Sequence, residues 1–191
     1  MGKSCIALLS GLVVGVACLT SPARAALSIN VGTHTLLPNT PNQTIQLSVT
    51  GGDAVQALNF NAQVADGGPE LGGVVNGPDI TAANIVTGTI FSGNNSGQQD
   101  PGSFPQLAIR TTTTSSGSIA ASGVLATLTI STVGISSGTF PLKLNDTLNG
   151  PTDFATVPVT ITDGFIVVPE PATLSILLPL LALRRARRRA R

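Results

Sequence analysis

Hydrophobic and polar residues alternate one by one along much of the middle of this chain. Ile45, Leu47 and Val49 are separated by Gln46 and Ser48. Because successive side chains of a β-strand point to opposite faces, this period of two is typical of strands with one buried face. The pattern predicts strands at residues 27–31, 45–50, 58–64, 84–91, 106–111, 124–130, 140–145, 156–161 and 165–168.

Turn-forming residues separate these segments and indicate the fold class. Runs rich in Gly, Asn, Asp and Pro, which favour loops, lie between the predicted strands. Residues 93–102 are predicted to form the longest mobile loop, and Pro158 is predicted to place its strand at a sheet edge or at a bulge. The sequence therefore predicts an all-β fold, a single antiparallel β-sandwich of about eight or nine strands over residues 26–168, with helices only at the two termini.

The first 25 residues have the three parts of a secretory signal peptide. Lys3 supplies the positive charge, residues 6–19 are apolar or small, and Ala23 and Ala25 stand at the two positions that signal peptidase reads. We predict cleavage after Ala25. One alternative is an N-terminal anchor, but the run is short of the roughly 20 residues that span a bilayer. Another is a lipoprotein cut before Cys18.

The C-terminal residues also have three parts in a fixed order. Pro169, Glu170 and Pro171 form a rigid extended segment, because proline fixes φ and lacks an amide hydrogen. Residues 172–183 are almost entirely apolar and would rise only about 18 Å as a helix. An arginine cluster follows at Arg184, Arg185, Arg187, Arg188, Arg189 and Arg191. We predict a short hydrophobic helix in the inner membrane, with the arginines as a cytoplasmic stop that sets its orientation.

This order of Pro-Glu-Pro, apolar helix and arginine cluster resembles the PEP-CTERM sorting signal of Gram-negative bacteria. The resemblance covers residues 168–191. It implies that an exosortase, a membrane transpeptidase-like processing enzyme, recognises Pro169, Glu170 and Pro171 and cuts near them. It also implies transient anchoring in the inner membrane and delivery to the cell surface, outer membrane or extracellular matrix. The alternative is a plain C-terminal anchor. The chain then divides into a signal peptide (1–25), a body (26–168) and a sorting signal (169–191).

The charge of the body excludes one class of partner. Between residues 26 and 168, Arg110 and Lys143 stand against eight acidic residues, which gives a formal net charge of −6. Nucleic-acid binding requires clustered Lys and Arg, so no nucleic-acid partner is expected. Both cysteines, Cys5 and Cys18, lie in the signal segment. The mature chain would therefore have no disulfide and no thiolate metal site.

The residues that carry chemistry are few. His34 is the one histidine, and no serine stands in a nucleophile-elbow context. The chain has no Trp or Tyr to stack on a sugar. Residues 145–150 partly match a calcium loop, but Asn, Thr and Asn occupy its first, third and fifth positions, so a hairpin turn is favoured there. We predict a protein that is not an enzyme and that uses no cofactor.

The order of the predicted strands resembles the cohesin-like sandwich, a branch of the carbohydrate-binding-module-like folds. Residues 122–128 and 163–168 carry most of this similarity. Cohesins bind dockerin modules through one sheet face. This chain lacks the Tyr that the family often has after the position of Phe60, so no dockerin-binding residues are carried over.

These observations support three hypotheses about the role of the body. We expect first a non-catalytic surface or matrix protein with a structural or adhesive role. The second hypothesis is a carbohydrate-binding module for extracellular polysaccharide, with Phe104, beside Pro105 in a predicted loop, as its aromatic contact. The third is a cohesin-type module that binds a surface protein. Fold alone does not choose among them.

Overall fold

The computed structural model describes residues 26–171. The predicted signal peptide, with Ala23 and Ala25, and the predicted membrane helix and arginine cluster lie outside the described residues. Within the described part of the chain there are thirteen strands and one short 3₁₀ helix, Pro69–Leu71. The strands are β1 (Leu27–Asn30), β2 (Thr33–Thr35), β3 (Gln43–Thr50), β4 (Ala54–Val55), β5 (Ala57–Val64), β6 (Asp79–Asn84), β7 (Gln99–Phe104), β8 (Leu107–Thr113), β9 (Ile119–Ala120), β10 (Gly123–Ser131), β11 (Gly138–Lys143), β12 (Val159–Thr162) and β13 (Gly164–Val168).

The strands form two facing sheets. Sheet 1 has the order β12-β1-β3-β10-β6, and sheet 2 has the order β2-β13-β11-β5-β8-β7. Strands β4 and β9 form a small separate pair. The predicted fold class, an all-β sandwich, is confirmed.

The core lies between the inner faces of the two sheets. In β3, Ile45, Leu47 and Val49 are buried while the residues between them are exposed, as the alternation predicts. In β5, the side chains of Leu58 and Phe60 are fully buried. These residues belong to one continuous hydrophobic cluster, to which both sheets contribute. Burial of this apolar surface is the dominant favourable term in folding.

Two strand pairs are parallel, which the prediction of an antiparallel sandwich did not include. Strand β1 pairs in parallel with β12, and β2 pairs in parallel with β13. The first and last segments of the body therefore run side by side and pass from sheet 1 to sheet 2 together. The other pairs within the two sheets are antiparallel. Period-two alternation is the same for both directions of pairing, so the sequence pattern does not distinguish them.

Gly32 and Gly164 lie where the two segments change sheets. Their backbones approach so closely that a Cβ on Gly164 would lie 1.9 Å from the carbonyl oxygen of Gly32. On either side, the Val31 amide donates to the Thr162 carbonyl (3.0 Å) and the Phe165 amide donates to the Gly32 carbonyl (2.9 Å). Glycine permits this approach because it has no side chain.

Two sequence predictions about the middle of the chain were wrong. Residues 84–91 do not form a strand: β6 ends at Asn84, and turns follow through residue 94. Ile85 and Phe91 lie in turns, yet both side chains are buried in the core. Their apolar character produced the pattern that predicted a strand. The predicted loop at 93–102 contains the first part of β7, an edge strand of sheet 2, so Phe104 ends a strand. The strand predicted at residues 156–161 starts later, at Val159, so Pro158 lies just before β12 and not within it; β12 itself is at the edge of sheet 1.

Candidate functional site

The outer face of sheet 2 has a polar centre that is shielded from solvent. Asn61 and Gln63 are on β5 and point away from the core, yet they are only 4% and 2% exposed. Residues 145–151, the segment that follows β11, cover them. We call this segment the flap. Polar side chains in such a position must be hydrogen-bonded to avoid a large desolvation cost.

The flap is held to β5 by a set of hydrogen bonds. The Leu148 amide donates to Oε1 of Gln63 (2.7 Å), and Nδ2 of Asn149 donates to Oδ1 of Asn61 (3.0 Å). Nδ2 of Asn61 donates in turn to the Pro151 carbonyl (3.0 Å). After the flap the chain returns to the sheet, where Asn59 and Asp153 pair in an isolated antiparallel bridge.

Both ends of the flap are fixed as well. Oδ1 of Asp163 accepts hydrogen bonds from the Leu144 and Asn145 amides (2.7 and 2.9 Å). The Thr152 hydroxyl donates to the Asn61 carbonyl and accepts from the Asn61 amide, each at 2.9 Å. The flap is therefore a fixed part of the surface of sheet 2.

Exposed apolar side chains surround this polar centre. Leu148, on the flap itself, is 61% exposed. Phe165 on β13 is 46% exposed and is paired across the ladder with Pro141 of β11. On the other side, Phe104 ends β7 with 39% of its surface exposed, and Ile109 of β8 is partly exposed. We call this outer surface of sheet 2, with the flap at its centre, the flap face.

The outer face of sheet 1 has a different character. Its exposed positions on β3 alternate with the core residues, and their neighbours on β10 and β6 have similar side chains. Hydroxyl and amide groups dominate, at Thr44, Gln46, Ser48, Thr50, Thr81, Asn84, Thr127, Thr129 and Ser131. This face has no aromatic residue among the described positions of its strands.

A cavity of about 300 Å³ with two carboxylates on its wall borders the flap, since a Cβ on Gly67 of its lining would lie 2.7 Å from Cδ1 of Leu148. Its lining includes Glu70 of the 3₁₀ helix, Asp79 at the start of β6, Asn76 and Gln106. Burial raises the pKa of the Asp79 carboxyl, a hydrogen bond from Gln106 opposes this, and the negative charge of Glu70 raises the pKa further.

The loop before this cavity is organised by Asp66. Its carboxylate accepts hydrogen bonds from the backbone amides of Val74 (2.7 Å), Val75 (3.1 Å) and Gly68 (3.2 Å). These bonds, that from Val74 first, hold the pKa of Asp66 below its usual value although desolvation opposes them. Asp66 thereby fixes the course of residues 66–75.

The predicted sorting residues lie at the end of the described chain. Pro169, Glu170 and Pro171 follow directly after β13, and all three are exposed. No helix among residues 26–171 has the length and apolar character that a membrane span requires.

His34 and the rejected calcium loop have ordinary structural surroundings. His34 is half-buried on β2, and its Nε2 lies 2.8 Å from the Val31 carbonyl oxygen. In residues 145–150, the Thr147 hydroxyl donates to the Gly150 carbonyl and closes a turn. That turn is part of the flap.

Sequence reasoning singled out Phe104 but missed Phe165, the flap and the cavity. The alternation of residues 165–168 could have located Phe165: Ile166 and Val168 face the core, so the residue beside them must point outward. Nothing in the sequence indicated that Gln63 and Gln106 are buried, because an amide side chain is typical of a solvent-exposed position.

Comparisons with solved structures identify the fold. A non-cellulosomal cohesin from the archaeon Archaeoglobus fulgidus superposes with a TM-score of 0.52 at 14% identity, over 76% of this chain and 93% of that one. A type I cohesin from Clostridium thermocellum, solved in a cohesin–dockerin complex, gives 0.53 at 14% identity, over 79% and 98%. A type III cohesin module from the ScaE cell-surface anchoring scaffoldin of Ruminococcus flavefaciens gives 0.51 at 18%, over 85% and 98%.

No family model and no curated protein matches this chain. At identities this low, the structural similarity extends to the fold alone. The body of the chain is a cohesin-like β-sandwich.

Proposed function

We propose that residues 26–168 form a non-catalytic protein-interaction module of an exported protein, and that the flap face is its binding surface. Exposed Phe165, in a sandwich with the fold of cohesin modules, is the observation that supports this most. One of the similar structures is a cohesin in complex with a dockerin, which is a protein partner. This interpretation places the third hypothesis ahead of a purely structural or adhesive role.

The composition of the flap face suits a protein partner. Binding energy at protein interfaces is concentrated in a few apolar or aromatic anchors, with polar groups around them. Phe165 and Leu148 supply exposed apolar surface, and Asn59, Lys143 and Asp153 supply polar groups nearby. The hydroxyl-rich outer face of sheet 1 has no comparable anchor.

The hydrogen bonds of the flap also support binding. A surface that is already ordered loses less conformational entropy when a partner docks. Here the anchoring groups of Asn61, Gln63 and Thr152 are satisfied within the protein. A partner would therefore meet a preformed surface.

A carbohydrate ligand is less well supported. Phe104 and Phe165 are on β7 and β13, which are separated in sheet 2 by β11, β5 and β8. The two exposed rings therefore form no shared stacking platform. Phe104 and Phe165 could each contact a sugar only as a single ring, so the crosslinking experiment below also detects adducts to polysaccharide.

Export by the PEP-CTERM route is the second part of the proposal. Cleavage after Ala25 and near Pro169, Glu170 and Pro171 would leave every described strand intact, because β1 starts at Leu27 and β13 ends at Val168. Signal peptidase and exosortase would be the processing partners, with Arg184, Arg185, Arg187, Arg188 and Arg189 holding the precursor in the inner membrane. The product would reside at the cell surface or in the extracellular matrix of a Gram-negative bacterium.

The interaction is tested by photo-crosslinking. A benzoylphenylalanine at position 165 keeps an aromatic ring on the flap face, and the same group at Val133, 60% exposed in a loop, is the matched control. We expect a discrete protein adduct on the surface of producing cells from position 165 alone. Phe165→Ser should then weaken the affinity for that protein at least about tenfold, as hot-spot truncations do, and Val133→Ser should not.

Adducts of equal yield from both positions, or adducts to polysaccharide alone, would refute the flap face as a protein-binding surface.

Mass spectrometry of the surface and medium fractions tests the route of export. We expect a mature N-terminus at Ala26 and loss of Arg184–Arg191 from the surface-displayed molecules. An intact arginine cluster on all of them would refute processing.

A further inference from the structure

Two loops at the end of the sandwich where the chain leaves β13 are uncharged and expose aliphatic side chains. Residues 36–42 connect β2 to β3, and residues 132–137 connect β10 to β11. We call them the basal loops. Neither contains a charged residue. Leu37 in the first loop is 66% exposed, and Val133 in the second is 60% exposed.

The basal loops are hydrogen-bonded to each other and form one continuous surface. The Asn39 amide donates to the Ile135 carbonyl (3.0 Å), and the Gly134 amide donates to Oδ1 of Asn39 (3.0 Å). The Thr132 amide donates to the Thr40 carbonyl (3.0 Å). Because these bonds already order both loops, the surface loses little conformational entropy when something binds to it.

This surface lies where the predicted membrane segment continues from the body. The Leu36 amide in the first loop donates to the Val167 carbonyl near the end of β13 (2.9 Å), and the second loop leads into β11, the neighbour of β13. Residues 169–171 alone separate β13 from the apolar segment at residues 172–183. Three residues span at most about 11 Å when fully extended. An anchor in that segment would therefore hold the basal loops close to the lipid.

We propose that the basal loops rest on the phospholipid surface of the membrane in the anchored precursor, with Leu37 and Val133 inserted between the lipid headgroups. This inference rests on the anchoring step of the proposed function. Apolar side chains of surface-bound segments lie about 5–10 Å deep, at the boundary of headgroups and acyl chains. Two such side chains bind a membrane weakly by themselves, but a covalent anchor raises their effective concentration at its surface.

The charges around the basal loops decide which lipid fits. Asp79 pairs with Ser131 at the end of β10, and Glu170 is in the segment that follows β13. Arg110 and Lys143 are the basic residues of the chain between residues 26 and 171, and neither is in a basal loop. The surface therefore has no cation to attract an anionic headgroup. Zwitterionic phosphatidylcholine and phosphatidylethanolamine match it better than phosphatidylglycerol.

Contact with the lipid would position the segment that is to be cut. Pro169, Glu170 and Pro171 follow β13 directly and are exposed. With the basal loops on the lipid, this segment lies at the membrane surface, where a membrane-bound processing enzyme reaches it. After cleavage the two aliphatic side chains alone are too small an anchor to retain the body. The contact therefore belongs to the precursor and is lost on processing.

Quenching of a fluorophore by spin-labelled lipid tests the contact. The chain of residues 26–191 has no cysteine, so Ser136→Cys in the second basal loop and Ser118→Cys can each be labelled at one site. Ser118 precedes β9, which pairs with β4 after the end of β3, whereas the first basal loop precedes the start of β3. The two labels are therefore at opposite ends of the sandwich.

The labelled chains are reconstituted in vesicles of phosphatidylcholine and phosphatidylethanolamine. We expect quenching at position 136 to exceed that at position 118 at least about twofold, because only the basal loops reach the headgroups. Leu37→Ser/Val133→Ser should lower quenching at position 136 to the level of position 118. Both side chains are exposed, so this variant should keep the Tm of the wild type. Leu37→Ile/Val133→Ile keeps the apolar surface, so it should be quenched like the wild type.

Flotation of the vesicles separates this inference from the anchoring on which it rests. A chain that floats with the vesicles but is quenched equally at both positions, or that stays quenched at position 136 in the serine variant, would overturn the contact and leave the anchor standing. Quenching that requires phosphatidylglycerol, or crosslinking of two copies through position 136 in place of quenching, would also overturn it. A chain that does not float would overturn both the contact and the anchor.

Discussion

Thr132 shows how strongly a single buried hydroxyl can fix the loops at the end of the sandwich where β10 ends. Its side chain is fully buried. The hydroxyl oxygen accepts a hydrogen bond from the Thr40 amide (2.9 Å) and lies 2.6 Å from the Leu37 carbonyl, to which it donates. Nε2 of Gln43 is a further donor to it (3.1 Å). The loop before β3 is thus tied to the end of β10.

Replacing this hydroxyl by a methyl group should therefore cost stability. Thr132→Val keeps the shape of the side chain but leaves the Leu37 carbonyl and the Thr40 amide without this partner. We expect the free energy of unfolding to fall by about 1–3 kcal/mol. Urea unfolding measures the loss. Thr129→Val, on the outer face of sheet 1, is the control and should change stability by less than about 0.5 kcal/mol. Equal losses in the two variants would contradict this role.

Asp66 gives the protein a pH-dependent contribution to stability. Because the pKa of Asp66 is lower in the folded protein than in the unfolded chain, its contribution is complete above the unfolded value. It is lost as the pH falls through the folded value. We expect Asp66→Asn to be less stable than the wild type at pH 6 and the difference to shrink at pH 3. Urea unfolding at the two pH values gives the comparison, and a constant difference would exclude this origin.

At the scale of the elements, the crossing of the terminal strands is the most sensitive point. Gly164→Ala would place a methyl group against the Gly32 carbonyl, and two backbones must separate to accept it. We expect a loss of about 3 kcal/mol or more, with unfolding of the pairs β1–β12 and β2–β13.

Gly52→Ala is the matched control for this substitution. Gly52 has a positive φ of 77°, but nothing lies within 4 Å of the position that a Cβ would take there. The cost there is only the left-handed backbone strain, about 1–2 kcal/mol. Thermal unfolding by circular dichroism compares the two. A Gly164→Ala variant no less stable than Gly52→Ala would show that the crossing can relax.

The elements also show what the sequence could predict. Strands β3, β5 and β10 each have a buried face and a polar face, so the period of two located them. Strand β7 reads Gln-Asp-Pro-Gly-Ser-Phe, which has the composition of a loop. It is extended because the edge of β8 offers a pairing partner, and Pro101 is tolerated there at an irregularity in the register. Such a strand depends on its neighbour, and local sequence cannot reveal it.

The candidate sites were harder to predict for a related reason. The flap face and the Gln106 cavity are formed by residues that are distant in sequence and that meet only when the two sheets have formed. For Asn61 and Thr152, for example, 91 residues separate the two partners of one hydrogen bond. The two terminal signals were readable because each is a continuous segment with its own composition.

For the whole molecule, the boundaries of the body should be sharp. Leu27, Ile29 and Val31 are in the core cluster, and so are Ile166 and Val168 at the other terminus. We expect a chain of residues 26–168 to fold, and a chain of residues 32–168 to remain unfolded, because the latter lacks β1 and its two pairings. Circular dichroism and the cooperativity of urea unfolding distinguish them. A cooperative transition in the shorter chain would show that β1 is dispensable.

The position of β13 has a mechanical consequence for a protein tethered through the residues that follow it. This strand is hydrogen-bonded on one side to β11, from Gly138 to Leu142, and on the other side to β2. A force that pulls the tether along the strand, against a load at the opposite end of the sandwich, acts across both ladders. Their hydrogen bonds lie across the direction of pulling and share the load at once, whereas a peeling force would break them in turn. A cell-surface attachment at this terminus would therefore resist shear from flow far better than an attachment through an edge strand such as β7.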